Sequence, residues 1–235
     1  IFGEDPAVTD PDLSHVRHAL KSLEFLVVQD LFMTETAKYA DVVLPGISFA
    51  EKDGTFTNTE RRIQRIRQAV APVGQGREDF RVFCQVATKM GYPMTYEGPK
   101  EIMDEIAGVV PTFAGVTYER LEDIQGLQWP CRSLTDPGTA IMHVGEFSRG
   151  KGLFKALAYK PAKELPDKEY PYLMSTGRML YQYNTGAMTK RTEGINELAG
   201  SSYIELNQED AEKMGIIDGS RVRVSSRRGA IETRA

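Results

Sequence analysis

Cysteine is scarce in this chain: 235 residues hold only Cys84 and Cys131, far apart and each without a second thiol nearby. That excludes a local iron–sulfur motif of clustered thiolates and any disulfide framework. Histidine is almost as rare, and His15, His18 and His143 offer no three-ligand metal site. His15 and His18, three apart, read as neighbours on one helix surface. No apolar run approaches the roughly 20 residues that a membrane-spanning helix needs. There is no basic excess either: 29 Lys and Arg stand against 33 Asp and Glu, for a net charge of -4. A nucleic-acid partner would need a basic face to meet phosphates. The local run Arg61, Arg62, Arg65, Arg67 lies on an alternating Ile63/Ile66 background and reads as a solvated or subunit-facing surface. The chain starts on Ile1 and stops after a strand-like GAIETRA, which reads as an internal fragment with any leader lying outside it.

What remains is an ordinary globular composition, 41% hydrophobic and 26% charged, long enough for one large domain or two modest ones. Residues 1–5 read as a strand end running into a loop. Residues 11–23 carry helical spacing, with Leu13, Val16, Ala19, Leu20 and Leu23 on one face. Two short apolar runs, 25–28 and 42–44, lack alternation and suit a parallel sheet covered on both faces, with Thr34 capping a short helix between them. Residues 55–67 alternate like an exposed hairpin making an excursion onto a neighbouring lobe. A helix is expected at 80–90, closed by Gly91 and Pro93, and another at 100–109. Residues 111–152 are loop-rich, and the domain boundary is placed near 140–165. In the tail, strands at 172–175, 203–206, 221–226 and 230–233 surround one helix at 208–214, the pattern of a small β-barrel. The fold class is therefore a partial α/β nucleotide-binding lobe with a mostly parallel sheet over residues 1–140, followed by a small β-barrel over residues 141–235.

Polar residues sit where such a lobe would hold a ligand. Gly3 at a strand end lets backbone approach a phosphate, and Asp5 and Thr9 follow it; the same pair also reads as ordinary loop caps. Gln29 and Asp30 close the next strand, where an acid accepts from a ribose diol or from the N–H groups of a guanine edge, or simply caps the following helix. Gly46 closes the next βα turn, where a side chain would obstruct a ligand. Asp79 reads equally as an N-cap of the helix at 80–90. In the tail, Arg178 presents a planar fork suited to phosphate, and Gln182 and Asn184 carry donors and acceptors for a heterocycle edge. The bland alternative makes the neighbouring tyrosines core and the cations solvent-facing.

Taken in order, GEDPAVTD, FLVVQDLFMTETAKYADVVLP, EKDGTFTNTERR, QWPCR, STGR, QYNTG and IELNQEDAEKMGIIDGSRVRVSSRRG resemble the catalytic (alpha) subunit of molybdopterin-dependent formate dehydrogenases. These belong to the bis-molybdopterin guanine dinucleotide oxidoreductases. ADVVLP followed by E-x-x-GTFTN carries the family signature, and the tail form GRMLYQYNTGAMTKRT is similar to cytoplasmic, NAD- or ferredoxin-linked versions. The resemblance implies a molybdopterin guanine dinucleotide with Mo or W, contacted by Asp5, Thr9, Gln29, Asp30, Gly46, Asp79, Arg178, Gln182 and Asn184. Many relatives carry histidine at Gln182 or Asn184, so the donor pattern there departs from the family's. It further implies a C-terminal barrel of double-psi type, and that residues 51–77 and 101–140 pack on an iron–sulfur lobe.

The family's metal ligand is a cysteine or selenocysteine followed by histidine, assisted by an arginine, and a four-cysteine motif holds its 4Fe–4S cluster. This sequence contains neither, so no catalytic or metal-ligating residue is assigned and the fragment alone is expected to be inactive. The full subunit would oxidise formate to carbon dioxide and pass electrons to iron–sulfur and flavin electron-transfer subunits in the cytoplasm. An assimilatory nitrate reductase, or a non-catalytic homologous subunit of respiratory NADH dehydrogenase, are the alternatives.

Overall fold

The computed structural model describes residues 1–123 and 125–235, which divide into two compact units. One comprises residues 1–3, 27–33 and 41–157, and the other residues 4–26, 34–40 and 158–235.

In the first unit, extended segments lie side by side and parallel. β1 (Val27–Asp30) pairs with β2 (Val42–Pro45), from Val27 opposite Val42 to Asp30 opposite Pro45. Ile1–Gly3 extends the sheet beyond β1: the Gln29 N–H donates to the Ile1 carbonyl and the Gly3 N–H to the Gln29 carbonyl, each at 2.9 Å. On the far side, the Arg77 N–H donates to the Pro45 carbonyl at 3.1 Å and Arg77 bridges to Gly46. The strand expected at 25–28 starts two residues later, leaving Phe25 exposed and drawing Gln29 and Asp30 into the ladder. Two-sided burial holds for Val28 and Gln29, but β2 is only half covered, with Val42 on the surface.

The hairpin is present. β3 (Gly54–Thr57) runs antiparallel to β4 (Arg62–Ile66), and β5 (Leu127–Gln128) joins the other edge of β4. Asn58 shapes the turn, its side-chain oxygen accepting from the N–H groups of Glu60 and Arg62 at 3.1 and 2.9 Å. The loop-rich stretch after residue 110 packs onto this hairpin. Ile63, Met103, Val116, Tyr118, Leu121, Leu127 and Cys131 form one buried cluster edged by Phe113 and Trp129. Apolar side chains from the irregular stretch 113–131, with Ile63 of the hairpin and Met103, thus supply this core. α3 (Asp79–Lys89) and α4 (Pro99–Val109) complete the unit, with Phe83 stacked on Phe2 at 4.4 Å.

The arginine run is not the solvated surface its charge suggested. Arg61 donates to the carbonyls of Trp129, Thr139 and Ala140. Arg65 lies 4.0 Å over the Tyr118 ring and, with Arg67, bonds Glu122. These cations staple the hairpin to the loops that cover it.

In the second unit, the one-turn α1 (Pro6–Thr9) leads into α2 (Leu13–Lys21), whose N-cap Asp12 accepts from the His15 N–H at 3.4 Å. Of the apolar face expected on α2, Leu20 is buried and Leu23 half exposed. Thr34 accepts from the Ala37 N–H at 3.2 Å and so starts the 3₁₀ turn Ala37–Tyr39. The tail carries α5 (Glu193–Ala199), α6 (Gln208–Met214) and the antiparallel pair β6 (Arg221–Ser226) and β7 (Gly229–Arg234). Asn207 caps α6, and Gly215, at φ 68°, ends it in the left-handed region that disfavours a Cβ. Of the other strands expected here, residues 172–175 form none, and 203–206 reduce to one bridge between Tyr203 and Arg234. Among the described residues, β6 and β7 make the only sheet of this unit.

Candidate functional site

Gln29, Asp30 and Gly46 meet at the C-terminal edge of the parallel strands. The ladder fixes the Gln29 backbone on both sides, and its side chain turns into the protein, where Nε2 donates to the Arg77 carbonyl at 3.1 Å. Its Oε1 is buried and accepts no hydrogen bond. A buried acceptor left unpaired costs about 1–3 kcal/mol, and natural folds keep such groups mainly for a ligand or water. Asp30, at the strand end, accepts from the Leu31 N–H at 2.6 Å, and its carbonyl accepts from the Gly46 N–H at 2.9 Å.

A Cβ on residue 46 would lie 3.4 Å from the Asp30 carbonyl and 3.7 Å from Gln29 Cγ, which is ordinary contact. The fold itself tolerates a methyl there. The glycine that packing demands is Gly76, where a Cβ would fall 2.6 Å from Ile47 Cγ2. Sequence reasoning passed over Gly76 and Arg77, although Gly74-Gln75-Gly76-Arg77 between two expected elements was a readable turn signal.

Asp79 is not the N-cap. That position belongs to Glu78, and Asp79 occupies the first helical turn of α3, with its carboxylate 3.2 Å from Lys52 Nζ. A hollow of about 410 Å³ is bordered by Ile47, Lys52, Gly76, Arg77, Glu78 and Arg81 among others. Its cations are engaged: Lys52 by Asp79, Arg77 by Gln85, and Arg81 by Glu78. The signature residue Glu51 also serves the fold. It accepts from the backbone N–H groups of Ser48 and Val73, each at 2.7 Å, and the bond from Ser48 leads in holding its carboxyl below the usual range.

In the second unit, the buried Asp5 directs one carboxylate oxygen to Thr36, taking its N–H at 2.8 Å and its hydroxyl at 2.6 Å. The Thr36 hydroxyl in turn accepts from the Ala7 N–H at 3.0 Å. Thr9 is exposed and donates back to the Asp5 carbonyl at 3.1 Å, closing α1. The tail residues share one turn. Arg178 donates to Asn184 at 3.1 Å, while Gln182 donates to the Ala199 carbonyl at 2.8 Å and accepts from Thr189 at 2.6 Å. Both ends of the Gln182 amide are therefore engaged within the protein, each keeping one further hydrogen-bonding position. Among the described residues, no group of three His, Cys, Asp or Glu side chains is placed to hold a metal, and no helix is long and apolar enough to cross a membrane.

Residues 1–89 match the family model described as molybdopterin oxidoreductase, and residues 172–235 the model of the molydopterin dinucleotide binding domain. The F420-dependent formate dehydrogenase 2 subunit alpha of Methanococcus maripaludis is 52% identical over 100% of this chain and 35% of that subunit. Formate dehydrogenase H of Escherichia coli is 42% identical over 100% of the chain and 34% of that enzyme. The chain thus spans about a third of the length of these relatives. Among solved structures, acetylene hydratase from Pelobacter acetylenicus superimposes with a TM-score of 0.71 at 19% identity, over 99% of this chain and 34% of that one. That likeness is one of fold.

Proposed function

We propose that this chain, whose residues 1–89 and 172–235 match the molybdopterin oxidoreductase and molydopterin dinucleotide binding models, is the cofactor-holding part of a formate dehydrogenase catalytic subunit. The observation that carries the reading is identity of 52% and 48% across the whole chain to subunits named as formate dehydrogenase alpha. The residues present fit a guanine dinucleotide. Gln29 keeps a buried acceptor without a donor, and Gly46 presents its backbone with no side chain of its own. The bound group is a bis-molybdopterin guanine dinucleotide with Mo or W, which supplies the two-electron chemistry on formate.

This chain's own residues bind and orient. Asp30 and the side-chain Oε1 of Gln29 accept from guanine or ribose donors, and the Gly46 backbone allows close approach. Asp5 and Thr9 set the strand-to-helix turn that faces a phosphate, Asp79 anchors the start of α3, and Arg178 with Asn184 meets oxygens of the dinucleotide. Gln182 acts by fixing the turn that carries Asn184. In the complete subunit, the tail forms a barrel of double-psi type built on β6 and β7. A 4Fe–4S cluster, held outside this chain, would supply the electron path to iron–sulfur and flavin partners in the cytoplasm, and the 51–77 and 101–140 regions would pack on the lobe that holds it.

The test is dye-linked formate oxidation by the full-length holoenzyme, together with its bound pterin content. Wild type is expected to reduce dye with formate, and Asp30→Ala to retain less pterin at equal folding. A holoenzyme that reduces nitrate and ignores formate would overturn the reading, as would an Asp30→Ala variant with undiminished pterin.

A further inference from the structure

We infer that Gly76 is a positioning residue: it lets the 76–77 backbone lie close enough to Gly46 and Ile47 for the Arg77 carbonyl to fix the Gln29 side-chain amide in one orientation. The inference rests on the dinucleotide reading above and adds a residue to which the resemblance assigns no role. Gln29 starts from a rigid base. Its N–H donates to the Ile1 carbonyl and its carbonyl accepts from the Gly3 N–H, each at 2.9 Å, and it stands opposite Leu44 of β2. Only the side chain is left to choose, between two amide orientations of almost equal shape.

Arg77 makes that choice. Its carbonyl takes the Gln29 Nε2 at 3.1 Å. Turning the amide over would set Oε1 against that carbonyl, two acceptors face to face, and would bury the N–H donors where Oε1 now lies unpaired. With Nε2 committed, the end of Gln29 that stays open is an acceptor, and it answers only to a donor. A backbone atom does this, so the side chain of Arg77 is free to reach Gln85 on α3 at 3.0 Å.

Close packing holds the carbonyl in place. The Arg77 N–H donates to the Pro45 carbonyl and the Gly76 N–H to the Val73 carbonyl, each at 3.1 Å, and Arg77 bridges Gly46 in parallel. A Cβ at position 76 would fall 2.6 Å from Ile47 Cγ2, 3.0 Å from the Gly46 carbonyl oxygen and 3.2 Å from the Val73 carbonyl oxygen. Gly76 does not have the positive φ that would itself favour glycine, so space and not backbone conformation excludes a side chain. Ile47 is buried and β-branched, which leaves its methyl little freedom to swing clear. A side chain at 76 must therefore push the 76–77 backbone off Gly46 and carry the Arg77 carbonyl away from Gln29.

The experiment reads the amide first and its ligand preference second. In proton–nitrogen spectra of the chain, the Gln29 side-chain N–H groups are expected to exchange about tenfold faster in Gly76→Ala than in wild type, the loss of one hydrogen bond. In calorimetric titrations, wild type is expected to prefer GDP over ADP about tenfold, because guanine offers N–H donors where adenine offers a ring acceptor. Gly76→Ala is expected to bring the two within about threefold. Gly115→Ala loses stability elsewhere in the same unit and is expected to keep the preference. Ile47→Ala, added to Gly76→Ala, removes the Cγ2 methyl and is expected to restore it. Thermal unfolding of each variant checks that the fold survives. The inference is overturned if wild type shows no amide protection, if Gly76→Ala keeps that protection, or if Gly115→Ala loses a wild-type GDP preference as fully as Gly76→Ala. A wild type that takes GDP and ADP alike, yet loses amide protection in Gly76→Ala, would leave the brace standing and sink the dinucleotide reading. A GDP preference that survives Gly76→Ala would do the reverse.

Discussion

A single oxygen of the Asp5 carboxylate takes both the N–H and the hydroxyl of Thr36, across 31 residues of sequence. The same hydroxyl receives the Ala7 N–H, so two backbone segments, 5–7 and the one carrying Thr36, are tied at one threonine. Thr36→Val keeps the volume but strips the hydroxyl, leaving Asp5 and the Ala7 N–H short of partners in a buried setting. The expected loss is about 2–3 kcal/mol in urea unfolding, with Thr36→Ser within about 1 kcal/mol of wild type. Equal stability of the two variants would show that the hydroxyl carries no weight.

Gly115 has no room for a side chain. A Cβ there would fall 2.0 Å from the Ser133 carbonyl oxygen and 2.6 Å from Cys131 Sγ. Gly115→Ala must therefore shift backbone, at an expected 3 kcal/mol or about that. Gly46→Ala meets only ordinary contacts and is expected to stay within about 1 kcal/mol of wild type. If Gly46→Ala proves the more damaging in thermal unfolding, the packing described at these two glycines is wrong.

Leu121 and Ile63 are almost wholly buried in the cluster under the hairpin. Leu121→Ala is expected to destabilise the chain by about 2–5 kcal/mol and Ile63→Val by about 0.5–1.5 kcal/mol. Denaturant midpoints for both that match wild type would show that the cluster contributes nothing to folding.

Acid should loosen this same unit. Arg67 first, then Arg65, holds the Glu122 carboxyl below the usual range, and the N–H of Ser48 does the same for Glu51. A group whose folded value is depressed adds stability that is in place above its unfolded value, about 4.3 for glutamate. That stability is lost as pH falls through the folded value. Urea midpoints are thus expected to drop between about pH 5 and pH 3, and Arg67→Gln to flatten the Glu122 share of the drop. Midpoints that hold constant over that window would contradict the assignment.

Local pattern made part of this architecture readable in advance. α6 and β6 fall where capping residues and alternation place them, because Asn207, Gly215 and the short turn to β7 act over a few residues. The Gln29–Asp30 strand end was legible from its position after an apolar run, although the strand itself lies two residues later, where its partners Ile1–Gly3 and β2 pull it. Long-range choices were not legible. Nothing near Arg61 or Arg65 in sequence announces that their targets lie beyond residue 117, so a run of arginines looked like surface. Helix-end chemistry did not separate Glu78 from Asp79 as the cap, since adjacent acids satisfy the same rule. Of the four tail strands expected, 172–175 and 203–206 failed for a related reason: a segment such as 172–175 has the composition of a strand but no strand partner among the described residues.

The grip of Arg61 on the carbonyls of Thr139 and Ala140, 78 and 79 positions away, bears on how the chain reaches this state. β4 meets β5 across a similar interval, so the hairpin emerges from the ribosome long before the segment that covers its apolar side. Distant pairing of this kind slows folding, because the ordering of the intervening loop precedes any gain from the contact. During synthesis, Ile63 would stay bare until its partners, Met103 through Cys131, had been added, roughly forty to seventy residues later.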